Sequence, residues 1–304
     1  MGIFFNRVTI IGVGLIGGSL ASVLRGKSLA GEIYGIGRSE ENLQKAKRLG
    51  LIDHYFCEPS GILTVPPLVK GDGRGIYSDS VRDSDLVILS SPVGSFRKIV
   101  KEIGTSLKKG AIVTDVGSVK GDMVREIEET LPEGVSFVGG HPIAGKETSG
   151  VEAASGELFK GSKCILTPTD RTDKNTLEIV KSMWEEAGSD VILMDPSLHD
   201  KVFAAVSHLP HVIAYALVNT VARMDFGEID TLSLSVRSFR DLTRIASSSP
   251  EMWRDICLYN RVNLLDSINR FEKVLKILKG YLEKGEGKGL LREFEEARRI
   301  KVNS

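Results

Sequence analysis

"VTIIGVGLIGGSLA", residues 8–21, places Gly12, Gly14 and Gly17 in a Gly-x-Gly-x-x-Gly pattern. A run dense in β-branched residues leads into it and a helical stretch leaves it. Between a strand and a helix the three glycines have separate uses. Gly12 permits the tight turn, Gly14 lets a pyrophosphate approach the backbone, and Gly17 lets helix and strand pack closely. Leu15 and Ile16 open the helix, whose first N–H groups and dipole favour the phosphate. This stretch predicts a dinucleotide site in the first unit of an α/β fold, with a structural glycine turn as the weaker alternative.

Further along, the same alternation continues. "EIYGIG", "DLVILSSP", "GAIVTDVG" and "VSFVGGHP" read as buried strands, rich in Val and Ile and closed by Gly or Pro. "SEENLQKAKRLG", "GSFRKIVKEIGTSL" and "KGDMVREIEETL" between them carry helical periodicity. "KCILTPT", "NTLEIVKSMWEEAG" and "DVILMDP" add one more unit. Strands alternating with helices predict a parallel Rossmann-type sheet with right-handed crossovers. The stretch from 58 to 80, with three prolines and several glycines, reads as an irregular surface insertion.

From about Pro196 the strand signals stop. "HDKVFAAVSHLPHVIAYALVNTVARM" predicts a long apolar helix, kinked at Pro210. The expected organisation is a Rossmann-type domain over 1–195 and an all-α domain over 196–304. An apolar helix in so small a helical domain needs a cover, and a second subunit supplies one. No apolar run is read as reaching the roughly 20 residues of a membrane span. Forty basic residues balance forty acidic ones, so the chain offers no general attraction to nucleic acid or acidic membranes. Three scattered cysteines argue for a reducing compartment. With no signal peptide read at the start, the expected location is the cytoplasm.

NAD-binding sites usually place an acid at the end of the second strand, for the ribose hydroxyls. Here the tip reads "GIGRSEEN", with Arg38 and Ser39 in that position. An arginine suits a 2′-phosphate, which points to NADP, while Glu40 or Glu41 as ribose partner keeps NAD open. "VTDVGSVKG" and "FVGGHPIAG" end strands on the rim where such sheets bind ligands, which places Ser118 beside His141. There Ser118 is expected to bond the imidazole and set its tautomer. A neutral imidazole can take a proton from a substrate hydroxyl as hydride leaves the same carbon. A histidine that merely caps a loop is the competing reading. "SVRSFRDLTRIA", if helical, puts Arg237, Arg240 and Arg244 on one face, a candidate anion site, with pairing to Asp241, Asp255 or solvent as the alternative for one or two of them. His208 and His211 in "SHLPHVIAY" lack a convincing third ligand, so no metal is expected.

"GVGLIGGSLA", "DLVILSSPVGSF", "TDVGSVKG", "VGGHPIAGKETSGVE", "SHLPHVIAYAL" and "FRDLTRIASSSPEMWRD", in that order, resemble the prephenate dehydrogenase family of tyrosine biosynthesis, with its arogenate-using relatives. The resemblance runs nearly end to end. It implies oxidative decarboxylation of prephenate to 4-hydroxyphenylpyruvate with NAD or NADP, and a homodimer through the helical domain. It implies that His141 and Ser118 are catalytic. Arg244, His211, Arg240 and Trp253, with Lys146 and Glu147 of a gating loop, would bind substrate. Ser91 and Pro92 would join the glycine turn at the cofactor. His211 as a donor to a keto group and carboxylate points to prephenate over arogenate. Another hydroxy-acid dehydrogenase or a nucleotide-sensing protein would keep the glycines, but neither explains "GGHPIAG".

Overall fold

The computed structural model describes residues 3–58, 80–145, 148, 150–225, 227, 234 and 236–303. Eight strands form one sheet: β1 (Phe5–Ile11), β2 (Ala30–Gly37), β3 (His54–Cys57), β4 (Leu86–Leu89), β5 (Ile112–Asp115), β6 (Ser136–Ile143), β7 (Lys163–Thr167) and β8 (Asp190–Leu193). Their spatial order is β3-β2-β1-β4-β5-β6-β7-β8. Winding therefore reverses between β1 and β4, which opens a crevice at the carboxyl ends of those two strands. Helices α1 (Leu15–Gly26), α2 (Glu40–Arg48), α3 (Phe96–Ile103), α4 (Gly121–Thr130) and α5 (Lys174–Glu186) accompany the sheet. Adjacent residues of β1 serve opposite faces, as the two-residue period of a strand requires. Ile10 joins one core with Ile33, Leu43 and Trp184, while Ile11 joins the other with Val87, Phe96 and Met123.

Two features differ from the sequence reading. β3 was not foreseen, because "HYFC" is only four residues long and lies against the stretch read as an insertion. Residues 59–79 of that stretch lie outside the described residues. The sheet is also not wholly parallel, since β7 runs antiparallel to β6. No long crossover helix separates them among the described residues, only a 3-10 turn at Val151–Ala153, so the chain doubles back. This inversion matters for the site. β6 pairs with β5 only as far as Val138 opposite Thr114. Beyond that point Gly139 to Ile143 make their strand pairing with β7, which carries His141 past the end of β5.

The helical half begins with α6 (Pro196–Phe203), passes through a π-turn at Ala204–His208, and continues as α7 (Leu209–Ala222). Pro210 has no N–H for the preceding turn and its ring crowds it. The widened turn just ahead of the proline takes up that misfit. The expected proline kink is thus a π-turn with His208 in it. Helices α8 (Arg237–Thr243), α9 (Pro250–Tyr259), α10 (Arg261–Lys284) and α11 (Gly287–Val302) follow. Trp253 and Ile256 of α9 enter the same core as Ile11 and Phe96, so this half is docked on the sheet.

The expectation about apolar runs is corrected. Pro196–Ala222 is a continuous 27-residue helix with an 18-residue stretch of mean hydropathy 1.4, long and apolar enough to span a bilayer by those measures. Only 22% of that stretch is buried within the chain. Val262, Leu275, Leu282, Phe294 and Ile300 on the following helices are exposed as well.

Candidate active site

At the crevice between β1 and β4 each glycine has a distinct reason to be glycine. Gly12 has φ +103°, and a Cβ on it would stand 2.5 Å from the Ser90 and Ser91 main chain. A Cβ on Gly17 would stand 2.3 Å from the Gly12 carbonyl oxygen. A Cβ on Gly14, by contrast, would meet nothing within 4 Å. The middle glycine therefore faces open space at the N-terminus of α1, where a pyrophosphate needs close approach to backbone N–H groups. Leu15 and Ile16 form the first turn there, and Ser91 and Pro92 follow β4 on the other side of the crevice. These residues fit a dinucleotide.

The tip of β2 carries the expected pair, in unequal circumstances. Arg38 is exposed, one residue beyond the strand. Ser39 is the N-cap of α2, its hydroxyl accepting from the Asn42 N–H at 3.2 Å. Its oxygen is engaged in holding the helix end.

The overshooting part of β6 holds His141, 8% exposed, against α6. Its Nδ1 lies 2.8 Å from His199 Nε2, and His199 Nδ1 lies 2.8 Å from Asp200 Oδ1. A carboxylate accepts only, so His199 carries its proton on Nδ1 and presents a lone pair at Nε2. His141 Nδ1–H then donates to that lone pair, and its basic nitrogen is Nε2. Asp200 Oδ1 also accepts from the Lys120 main-chain N–H at 2.8 Å, which fixes it at the start of α4. This corrects the expected role of Ser118, because the imidazole is oriented by His199 and Asp200 and not by the Ser118 hydroxyl. Ser118 stays on the neighbouring turn, where its main chain lies close to His208 Nε2 without a well-aligned hydrogen bond.

That turn is rigid. The fully buried Lys120 ammonium contacts the fully buried Asp115 carboxylate and donates to the Gly117 carbonyl at 2.8 Å. Asp115 accepts in addition from the N–H groups of Gly117 and of Gly140, the residue before His141. Burial pushes the Asp115 carboxyl up, against the pull of Lys120 and of those two donors.

Burial also drives the histidines towards their neutral forms. It holds His141 well below the usual value, with His199, Lys120 and His208 adding to the effect. His199 is lowered by burial although Asp200 opposes this, and His208 is lowered by burial to about 4. Neutral histidines in the native state mean that the unfolded chain binds more protons once pH drops below about 6.5. Stability is therefore complete above that pH and lost as pH falls, by up to about 1.4 kcal/mol per pH unit for each histidine. The urea midpoint should accordingly drop between pH 6.5 and 5. A midpoint level across that range would show these rings titrating in the native state as they do in the unfolded chain.

On the helical half, His211 stacks on Trp253 with ring centroids 3.6 Å apart. His211 Nδ1 lies 3.0 Å from the Ser207 carbonyl oxygen, so Nδ1 is the protonated nitrogen. The donor role expected for His211 needs correcting in consequence. A neutral ring has a lone pair left at Nε2, and burial lowers the basicity of this ring too. Arg244, exposed at the start of the 3-10 turn Arg244–Ser247, is near enough to His211 to disfavour its protonation. Arg240 sits exposed on α8, and Arg237 pairs with Asp241 at 3.6 Å and follows the alternative expected for it. Lys146 and Glu147 lie outside the described residues.

Sequence reasoning missed His199 and Asp200 as partners of His141. A histidine followed at once by an acid in a mostly apolar helix was the available signal. It also missed Asn260, which donates to the Asp200 main-chain carbonyl at 2.7 Å and lies 3.1 Å from His208 Nδ1.

Comparison with known proteins covers nearly the whole chain. The family model described as prephenate dehydrogenase, nucleotide-binding domain, matches residues 71–193, and that described as prephenate dehydrogenase, dimerization domain, matches 195–296. A model described as NADP oxidoreductase, coenzyme F420-dependent, matches 7–118. The chain is 33% identical to prephenate dehydrogenase of Bacillus subtilis over 96% of its own length and 74% of the relative's. It is 34% identical to cyclohexadienyl dehydrogenase of Zymomonas mobilis, over 98% and 96% respectively. Among solved structures, prephenate dehydrogenase from Aquifex aeolicus in complex with hydroxyphenyl propionate and NAD+ shares 41% identity at a TM-score of 0.88, covering 100% of this chain and 99% of that one.

Proposed function

The chain belongs to the prephenate dehydrogenase family, and on that premise we propose that it oxidatively decarboxylates prephenate to 4-hydroxyphenylpyruvate with His141 as the base. The observation that carries this reading is the His141–His199–Asp200 chain beside a crevice whose glycines fit a dinucleotide. A bound nicotinamide dinucleotide supplies the hydride acceptor. His141 Nε2 takes the proton of the ring hydroxyl as hydride leaves the carbon that bears it. His199 and Asp200 stabilise the imidazolium that forms, and the buried pocket keeps the ring neutral beforehand. The bond from the opposite ring carbon to its carboxylate then breaks, releasing carbon dioxide, and its electron pair makes the product ring aromatic. Ser118, on the rim beside His141, is assigned to the same hydroxyl.

Prephenate is a dianion, which gives exposed arginines at the mouth of the site a purpose. Arg244 receives a carboxylate, with Arg240 nearby, and the stacked His211 and Trp253 wall the ring. Arg244→Ala is expected to raise KM for prephenate by roughly 10- to 150-fold, as loss of one charged hydrogen bond of about 1.5–3 kcal/mol implies. A wild-type KM in steady-state assays would remove Arg244 from this role. Lys146 and Glu147 are assigned to substrate on the family pattern alone. The exposed apolar face of Pro196–Ala222 and the match to a dimerization domain support a homodimer, with the second subunit covering that face.

Arg38 at the β2 tip favours NADP+, through its attraction for a 2′-phosphate. One observation favours arogenate as a second substrate: a neutral His211 offers a lone pair, which suits an ammonium group better than a keto oxygen. Absorbance at the nicotinamide band, followed with prephenate or arogenate and NAD+ or NADP+ in all four combinations, tests these assignments together. Turnover of prephenate is the expected result. Faster turnover of arogenate would assign the lone pair its purpose, and a preference for NAD+ would leave Arg38 a solvated residue. Folded protein silent in all four combinations would overturn the function.

A further inference from the structure

Asn42 is the third residue of α2, oriented by the Ser39 cap on its own N–H. Its side chain reaches two separate parts of the cleft. The amide Nδ2 donates to the Val13 carbonyl at 2.6 Å, between the first two glycines of the phosphate-binding turn. The amide Oδ1 accepts from the Val151 N–H at 3.2 Å, in the segment that returns from the histidine strand. No other polar side chain among the described residues is shown bridging that turn to that segment.

Other contacts seat the same segment on the nucleotide half. Ser155 N–H donates to the buried Ser19 hydroxyl of α1 at 2.9 Å, and Lys45 of α2 pairs with Glu152 at 2.9 Å. The main chain of α1 comes so close that a Cβ on Gly18 would lie 3.0 Å from Ala154 Cβ and 3.1 Å from Val151 Cγ2. Val151 itself is buried there. Both ends of the segment are accounted for: it leaves β6 two residues after His141 and rests on α1 and α2.

We propose that Asn42 is a positioning residue that couples dinucleotide binding to substrate binding, by tying the Val13 carbonyl to the Val151 N–H. The proposal rests on the dehydrogenase reading above. A pyrophosphate seated at the N-terminus of α1 fixes the Gly12–Gly14 turn, and the planar amide transmits that position to Val151. Residues 151–155 are then positioned once for both ligands, so whichever binds second binds more tightly. Linkage makes the effect reciprocal.

The test is calorimetric titration of the full-length chain with the preferred dinucleotide, in the absence and presence of saturating 4-hydroxyphenylpyruvate. Wild type should show a dissociation constant lowered by the product on the order of fivefold or more. Asn42→Ala removes both arms, and Asn42→Asp keeps an acceptor for Val151 but has no donor for Val13. In each the ratio should fall towards 1, with KM for both substrates raised together and kcat changed less. A purely structural role would lower the melting temperature and leave the ratio alone. A wild-type ratio in Asn42→Asp, or a ratio of 1 in wild type itself, overturns the coupling. Should wild type neither bind dinucleotide nor turn over prephenate, the function falls with it; turnover with an unaltered ratio sinks the coupling alone.

Discussion

His141→Ala is expected to lower kcat by roughly 10²–10⁴-fold, the range for losing a positioned general base, while dinucleotide affinity stays at the wild-type value. The variant is informative because the ring's surroundings predict more than loss of a proton acceptor. His141 Nε2 is basic only because Nδ1–H is engaged by His199, whose tautomer is in turn set by Asp200. Alanine removes the acceptor and leaves His199 Nε2 with no partner, so exogenous imidazole admitted to the gap should restore part of the rate. Single-turnover measurement of cofactor reduction, with cofactor affinity measured separately, distinguishes lost chemistry from lost binding. Turnover within threefold of wild type would dismiss the base assignment.

A second large effect concerns stability. Lys120→Met leaves the Asp115 carboxylate fully buried, supported only by the Gly117 and Gly140 N–H groups. Removing one partner of a buried pair costs about 3–5 kcal/mol, a large part of the roughly 5–15 kcal/mol that holds a native fold. The urea midpoint at pH 7 should fall accordingly. The defect should also depend on pH in a set direction. Without the ammonium the folded carboxyl is raised further above its unfolded value. Such a group is most destabilising above its folded pKa, and the penalty fades as pH falls and the carboxyl protonates. Midpoints for variant and wild type should therefore converge on acidification from pH 8 towards pH 5. Equal midpoints at pH 7 would mean that Lys120 contributes nothing net.

Much of the fold was legible because local periodicity and glycine chemistry are local facts. The strand at 8–11, the glycines and the helix behind them can be read from one stretch, since each glycine answers to its immediate neighbours. The helical half was legible for the same reason, through the long apolar period after Pro196. β3 was not, because four residues carry too little pattern. Nor was the antiparallel β7, whose direction depends on a connection that reads like the others. His141 itself was found from "GGHPIAG", while its true partners were not. His199 lies 58 residues downstream in a helix that reads as domain core, and only packing against β6 reveals the contact.

The sequence by itself determined a nucleotide crevice at Gly12–Gly17, the strand-helix alternation and the histidine at the rim. Only the tertiary structure decided which nitrogen of that histidine is basic, which way His211 presents its lone pair, and that Lys120 and Asp115 are sealed together beside His141. The physical reason is range. Propensity and glycine conformation act over a few residues, whereas tautomers and buried charge follow from hydrogen bonds that elements distant in the chain make once the sheet and the helical half have packed.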